Sequence, residues 1–154
     1  MIREIKQYFK SKQETMPEVT GFVFGTEEQA LREAVSKFDG YYMFVDRGVF
    51  DSDRDNNNNL KDSLVCGVTI ARPVGAQIVS FEEIAEIDIE SFELISRLRA
   101  EMLDDQRCIP WLKCLSDNHS IMPFVAPDIC RSIGNTLSFV IEGYDLLEAK
   151  GNKS

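Results

Sequence analysis

Apolar positions along this chain switch between a helical and a two-residue period, and the switches lay out its elements. Ile2, Ile5, Tyr8 and Phe9 fall at helical spacing, which predicts an amphipathic helix over Met1–Lys12 that Pro17 closes. Thr20–Gly25 (TGFVFG) is short, apolar and bounded by glycine, as a strand is. Thr26 followed by Gln29 fits a capping box, and Leu31, Val35 and Phe38 continue a helical stripe that Gly40 is placed to end through positive φ. Tyr41–Phe50 (YYMFVDRGVF) reads as one buried strand, rich in aromatic and branched residues. Asp51–Asn59 has no apolar residue and reads as an exposed loop. Leu64, Cys66, Val68 and Ile70 then alternate with Val65, Gly67 and Thr69. The second set is small-sided and suits close approach of a helix or a neighbouring strand. Pro73 and Gly75 end the run.

Ser80 and Glu83 form another candidate capping box, opening the longest helix. Phe81, Ile84, Ile87, Phe92, Ile95, Leu98 and Met102 give it a drifting apolar stripe. Asp104 and Asp105 oppose the macrodipole at a helix C-terminus, so the helix is predicted to stop near Met102. Trp111–Leu115 and Ser120–Ala126 read as short strands around an Asp-Asn-His turn, and Thr136–Tyr144 as a final alternating strand. Paired strands with helices that cannot all be crossovers predict an α+β fold: a mostly antiparallel β-sheet covered by helices, with an N-terminal helix and one long central helix. One domain is expected over 1–150, with a frayed polar tail at 151–154.

Composition narrows the partners. The formal net charge of −9 repels polyanions, so no nucleic-acid partner is expected. Arg3, Lys6, Lys10 and Lys12 make the first fourteen residues locally positive, a pattern read here as a solvated face rather than a binding arm. No apolar run approaches the ~18 residues that span a bilayer, so no membrane partner is expected either. Cys66 sits in an alternating apolar run, and Met1–Met16 carries neither a continuous apolar stretch nor a small-residue cleavage site. Reduced thiols in a cytoplasmic setting are expected for Cys66, Cys108, Cys114 and Cys130.

The densest chemical motif runs from Asp51 to Asp62. Asp51, Asp53, Asp55, Asn57 and Asp62 sit at positions one, three, five, seven and twelve, resembling a calcium-binding EF-hand loop that offers oxygens to a hard cation. Position six is Asn56 rather than Gly, position twelve is the shorter Asp, and the flanks read as strands. Those departures favour a solvated hairpin loop over a calcium site. His119, with Cys114 five residues and Asp117 two residues before it, could in principle form a thiol–imidazole pair, but no orienting group or oxyanion hole accompanies it. A loop histidine near a core cysteine is the plainer reading. There is no C-x-x-C pair for zinc and no glycine-rich phosphate loop. Glu82, Glu83, Glu86 and Glu90 read as a wet helix face. No catalytic residue and no cofactor beyond that calcium candidate are expected, and the chain is read as a non-enzyme.

The pattern formed by YYMFVDRGVF, LVCGVTIARPV, the helix FELISRLRAEML and SIGNTLSFVIEGYDLL resembles small bacteriophage or prophage tail-completion proteins, of the tail-terminator or head–tail joining type. The resemblance covers about Gly21 to Leu147 and rests on element order and pattern. It implies a structural role in virion assembly: subunits that associate with copies of themselves or with other tail and neck subunits, in the bacterial cytoplasm and then in the virion. The alternative is a stand-alone protein-binding adaptor domain without catalysis.

Overall fold

A computed structural model describes residues 1–74, 80–126, 131–144 and 146–147. In chain order they form α1 (Ile2–Glu14), β1 (Val19–Phe24), α2 (Glu27–Lys37), β2 (Tyr41–Asp46), β3 (Phe50–Arg54), β4 (Leu60–Pro73), α3 (Phe81–Asp105), a 3₁₀ turn (Trp111–Cys114), β5 (Ser120–Ala126) and β6 (Ser132–Tyr144). All the strands join one sheet in the order β1-β2-β4-β6-β5, with β3 also paired to β4. Only β1 and β2 run parallel, with α2 between them in the chain. The fold is α+β, as the element order predicts.

β4 is the spine of the sheet. One flank is matched to β6 from Lys61↔Tyr144 to Pro73↔Ser132. Along the other flank β3 covers Leu60–Leu64 and β2 covers Gly67–Ala71. Asp46 faces Gly67 and Phe50 faces Leu64, so the β2–β3 side carries one residue more than β4 between those pairs. That is a bulge. Gly48 takes positive φ there, and a Cβ on it would run into the Val65 carbonyl. The strand expected over Tyr41–Phe50 is therefore broken after Asp46, and the expected Asp51–Asn59 loop is half strand, with only Asp55–Asn59 turning.

Alternation sorts the two sheet faces. Leu64, Cys66, Val68 and Ile70 of β4 and Leu137, Phe139 and Ile141 of β6 are buried under α1 and α3. The helices contribute Ile5, Phe9, Leu94, Ile95, Leu98 and Met102, each stabilising the core by about 1.5–3 kcal/mol. On the opposite face α2 lays Ala30 and Ala34 against Tyr42, Phe44 and Ala71. The small-sided set Val65, Gly67 and Thr69 does not enter the α2 cluster, which takes Ala71 from that face, while Thr69 pairs with Thr136 across the strands at 2.6 Å.

Other expectations change in detail. The Thr26–Gln29 capping box forms, but α2 stops at Lys37 because Phe38 turns extended (φ −109°) and stacks on Tyr42. Gly40 does not take positive φ. α3 continues past Met102 to Asp105, whose carboxylate meets the Lys12 ammonium at 2.7 Å and the Tyr8 hydroxyl at 2.8 Å. The cation missing from the helix end in sequence thus arrives from α1. Trp111–Cys114 winds as a 3₁₀ turn, not a strand, since Pro110 already takes helical angles; Leu115 alone bridges to Ile141. Phe81 and Phe92 leave the α3 core stripe and are exposed. Cys66, Cys108 and Cys114 are free thiols. The Val35 side chain, Gly75, Cys130 and the tail at 151–154 lie outside the described residues.

Candidate functional site

The five calcium candidates do not converge. Pairing of β3 with β4 sets Asp51 opposite Ser63, Ser52 opposite Asp62 and Asp53 opposite Lys61. With a side-chain period of two, Asp51 and Asp53 share the sheet face away from α1 and α3, while Asp62 points to the other face with Leu64. Asp62 is buried and accepts hydrogen bonds from the Ser52 hydroxyl (2.6 Å) and the Leu146 amide (2.9 Å). Asp55 caps its own turn, its Oδ1 accepting from the amides of Asn57 and Asn59 at 2.9 Å each and its Oδ2 from the Tyr144 hydroxyl at 2.9 Å. The Asn59 amide, then the Tyr144 hydroxyl, hold its carboxyl below the usual range, and the bond to Asp55 raises the Tyr144 phenol in return. Asn57 serves through its backbone. The left-handed residue of the turn is Asn58 (φ 65°), not Asn56. Among the described residues, no group of three or more His, Cys, Asp and Glu is arranged to hold a metal ion.

Cys114 and His119 face different spaces. The His119 Nδ1 accepts from the Arg99 Nε at 3.1 Å, beside Leu103 and Leu137. Cys114 instead lines an open groove of about 490 Å³ between α1, the 3₁₀ turn and the end of β6. Tyr8, Ile109, Pro110, Trp111 and Leu146 make its apolar walls, with Glu4 and Gln7 at the rim. Tyr8 packs edge-on against Trp111 at 5.3 Å. Burial, then its bond to Asp105, pushes the Tyr8 phenol far above its ordinary range. Of the glutamate row, Glu83, Glu86 and Glu90 line a cleft of about 320 Å³ with Arg72, and Glu90 accepts from the Tyr41 hydroxyl at 2.7 Å.

The apolar surface on the far flank of α3 was not read from sequence. Glu101, Asp105 and Arg97 mark the flank facing α1 through contacts with Lys12, Tyr8 and Glu18. Asp88, bonded to Asn135 of β6, and Arg99, bonded to His119, mark the flank facing β5. Phe81, Ala85, Ile89, Phe92 and Leu103 recur on that second flank at steps of three and four, counting Ser96 and Arg99 between the last two. Phe81 is 92% exposed and Phe92 48%. On β5, Val125 points to the same side and is 60% exposed. The stripe hid in the sequence because it merges with the core stripe a quarter-turn away. The drift in the apolar pattern was its signal.

No family model and no curated protein matches the chain. Its function is therefore argued from these surfaces. No helix among the described residues is long and apolar enough to cross a membrane.

Proposed function

We propose that this chain is a non-catalytic structural subunit, of the kind that phage tail-completion and head–tail joining proteins represent, and that it assembles through the α3–β5 flank. One observation carries the reading: Phe81, Ile89, Phe92, Leu103 and Val125 form a band of exposed apolar side chains along one helix flank and the neighbouring edge strand. Exposed bands of this type mark contact surfaces. Burying Phe92 and Val125 against a second subunit would stabilise the contact by roughly 1.5–3 kcal/mol for each side chain fully covered. The fitting experiment is light scattering on the purified chain across a concentration series, with negative-stain microscopy. A closed oligomer or ring that dissociates in F92E/V125E supports the assembly reading. A monomer at all concentrations that also fails to join tail or neck subunits overturns it.

A second reading, the adaptor domain, draws on the groove walled by Tyr8 and Trp111, since amphipathic aromatics are favoured at protein contacts. A monomer whose W111A variant loses a protein partner supports that reading over assembly.

A further inference from the structure

We propose that the free edge of β1 receives an extended acidic segment of a partner protein as an added strand, its alternate carboxylates meeting Lys6 and Lys10. This goes beyond the assembly reading, because it concerns the opposite edge of the sheet and a chemically different partner.

Among the described residues, β1 ends the strand order and pairs only with β2, so its outer row of backbone groups is unpaired within the sheet. Gln13 covers one of them, donating to the Val19 carbonyl at 2.8 Å. Among the described residues, nothing pairs with the outer row from Thr20 to Phe24. Such a row is a template for another strand.

Two features specify what that strand would carry. α1 lies over β1 with its exposed Lys6 and Lys10 on the flank next to the edge. The Lys6 ammonium stands 5.9 Å from the centroid of Phe24, and the Lys10 ammonium 6.0 Å from that of Phe22. Phe22 and Phe24 are same-face neighbours two residues apart, so the two ammoniums are spaced to match successive same-face side chains of an added strand. Neither lysine has an ion-pair partner among the described residues, unlike Lys12, which is held by Asp105. In a chain of net charge −9, this edge is a local exception that would attract carboxylates.

The other face of the same edge is open and of mixed character. A cavity of about 370 Å³ lies there, lined by Phe22, Val23, Phe24, Gln29, Arg32 and Glu33. The side chain between two carboxylates would project towards it, beside Val23. The segment recognised therefore alternates carboxylates with side chains that face this cavity.

The test uses fluorescein-labelled peptides and the intact protein. Glu-Val-Glu-Val-Glu is compared with Lys-Val-Lys-Val-Lys and with the acidic peptide carrying proline at its centre, by fluorescence anisotropy. The acidic peptide should bind at least tenfold tighter than either control, weaken as salt rises, and lose at least tenfold affinity in K6E/K10E protein of unchanged circular dichroism and Tm. Amides from Thr20 to Phe24 should gain hydrogen-exchange protection on binding. Equal binding of the lysine peptide, or unchanged affinity in K6E/K10E, overturns the proposal. So does absence of binding together with self-association of a K6S/K10S variant, which would make the lysines guards of the edge instead.

Discussion

The carboxylate of Asp62 accepts a hydrogen bond from the backbone amide of Leu146 at 2.9 Å, tying the start of β4 to the chain just beyond β6. Its other oxygen takes the Ser52 hydroxyl of β3, so one buried side chain pins three segments.

D62A leaves a buried amide and a hydroxyl without their acceptor and should destabilise the fold by about 1–3 kcal/mol. Urea unfolding measures this. S52A, which removes only the hydroxyl and leaves the carboxylate its amide, should cost less than D62A; the reverse order would show that Asp62 is not the pin.

Calcium should leave the melting temperature unchanged at millimolar concentration. Asp51 and Asp53 point away from Asp62, and Asp55 is engaged by its own turn. A rise in Tm that D51N/D53N abolishes would contradict this geometry.

Gly134 has no room for a side chain. A Cβ there would meet the Ile70 carbonyl and the Ala71 Cα across the β4–β6 pair. G134A should destabilise by about 1–3 kcal/mol through forced separation of the strands. Thermal melts of the variant check it, with G67A as the control, because its added Cβ would meet only Thr136 at an ordinary 3.5 Å.

Asp105 gives the fold an acid-sensitive contact. Hydrogen bonding from Lys12 in the first place, and from Tyr8, outweighs partial burial and lowers its carboxyl below the ordinary 3.8. A depressed folded pKa stabilises fully above the unfolded value, and that stability is lost as pH falls through the folded value. The loss therefore begins below about pH 4. D105N should cost about 1 kcal/mol at pH 7 and less at pH 2. Chemical denaturation at the two pH values reads the difference.

Cys66 should resist alkylation. Burial first, then the nearby Asp46 carboxylate, push its thiol up to about 12, so little thiolate exists at neutral pH. Iodoacetamide with mass mapping should modify exposed Cys108 in the native protein and reach Cys66 only after unfolding.

The parts legible in the sequence were those set by period and by local capping. Leu64 to Ile70 and Leu137 to Ile141 gave their buried faces directly, and Thr26 announced its helix. What escaped depended on partners distant in the chain. Lys12 meets the end of α3 from 93 residues earlier in the chain, and nothing near Asp105 signals it. β3 is a strand with no apolar alternation, because pairing to β4 and the Asp62–Ser52 bond replace burial. The calcium spacing of Asp51 to Asp62 was legible as a pattern, but strand geometry divides those residues between two faces.

The central place of β6 also governs when the sheet can close. β6 separates β4 from β5, and among the described residues β5 has no other neighbour in the sheet. During synthesis β4 and α3 leave the ribosome well before residue 132, so the spine waits with one side open and β5 waits with none closed. The sheet can complete only once residue 144 has emerged. Its pairing spans the whole of α3, a long-range closure of the kind that folds slowly in general. A nonsense mutation within β6 would thus remove the keystone of the sheet.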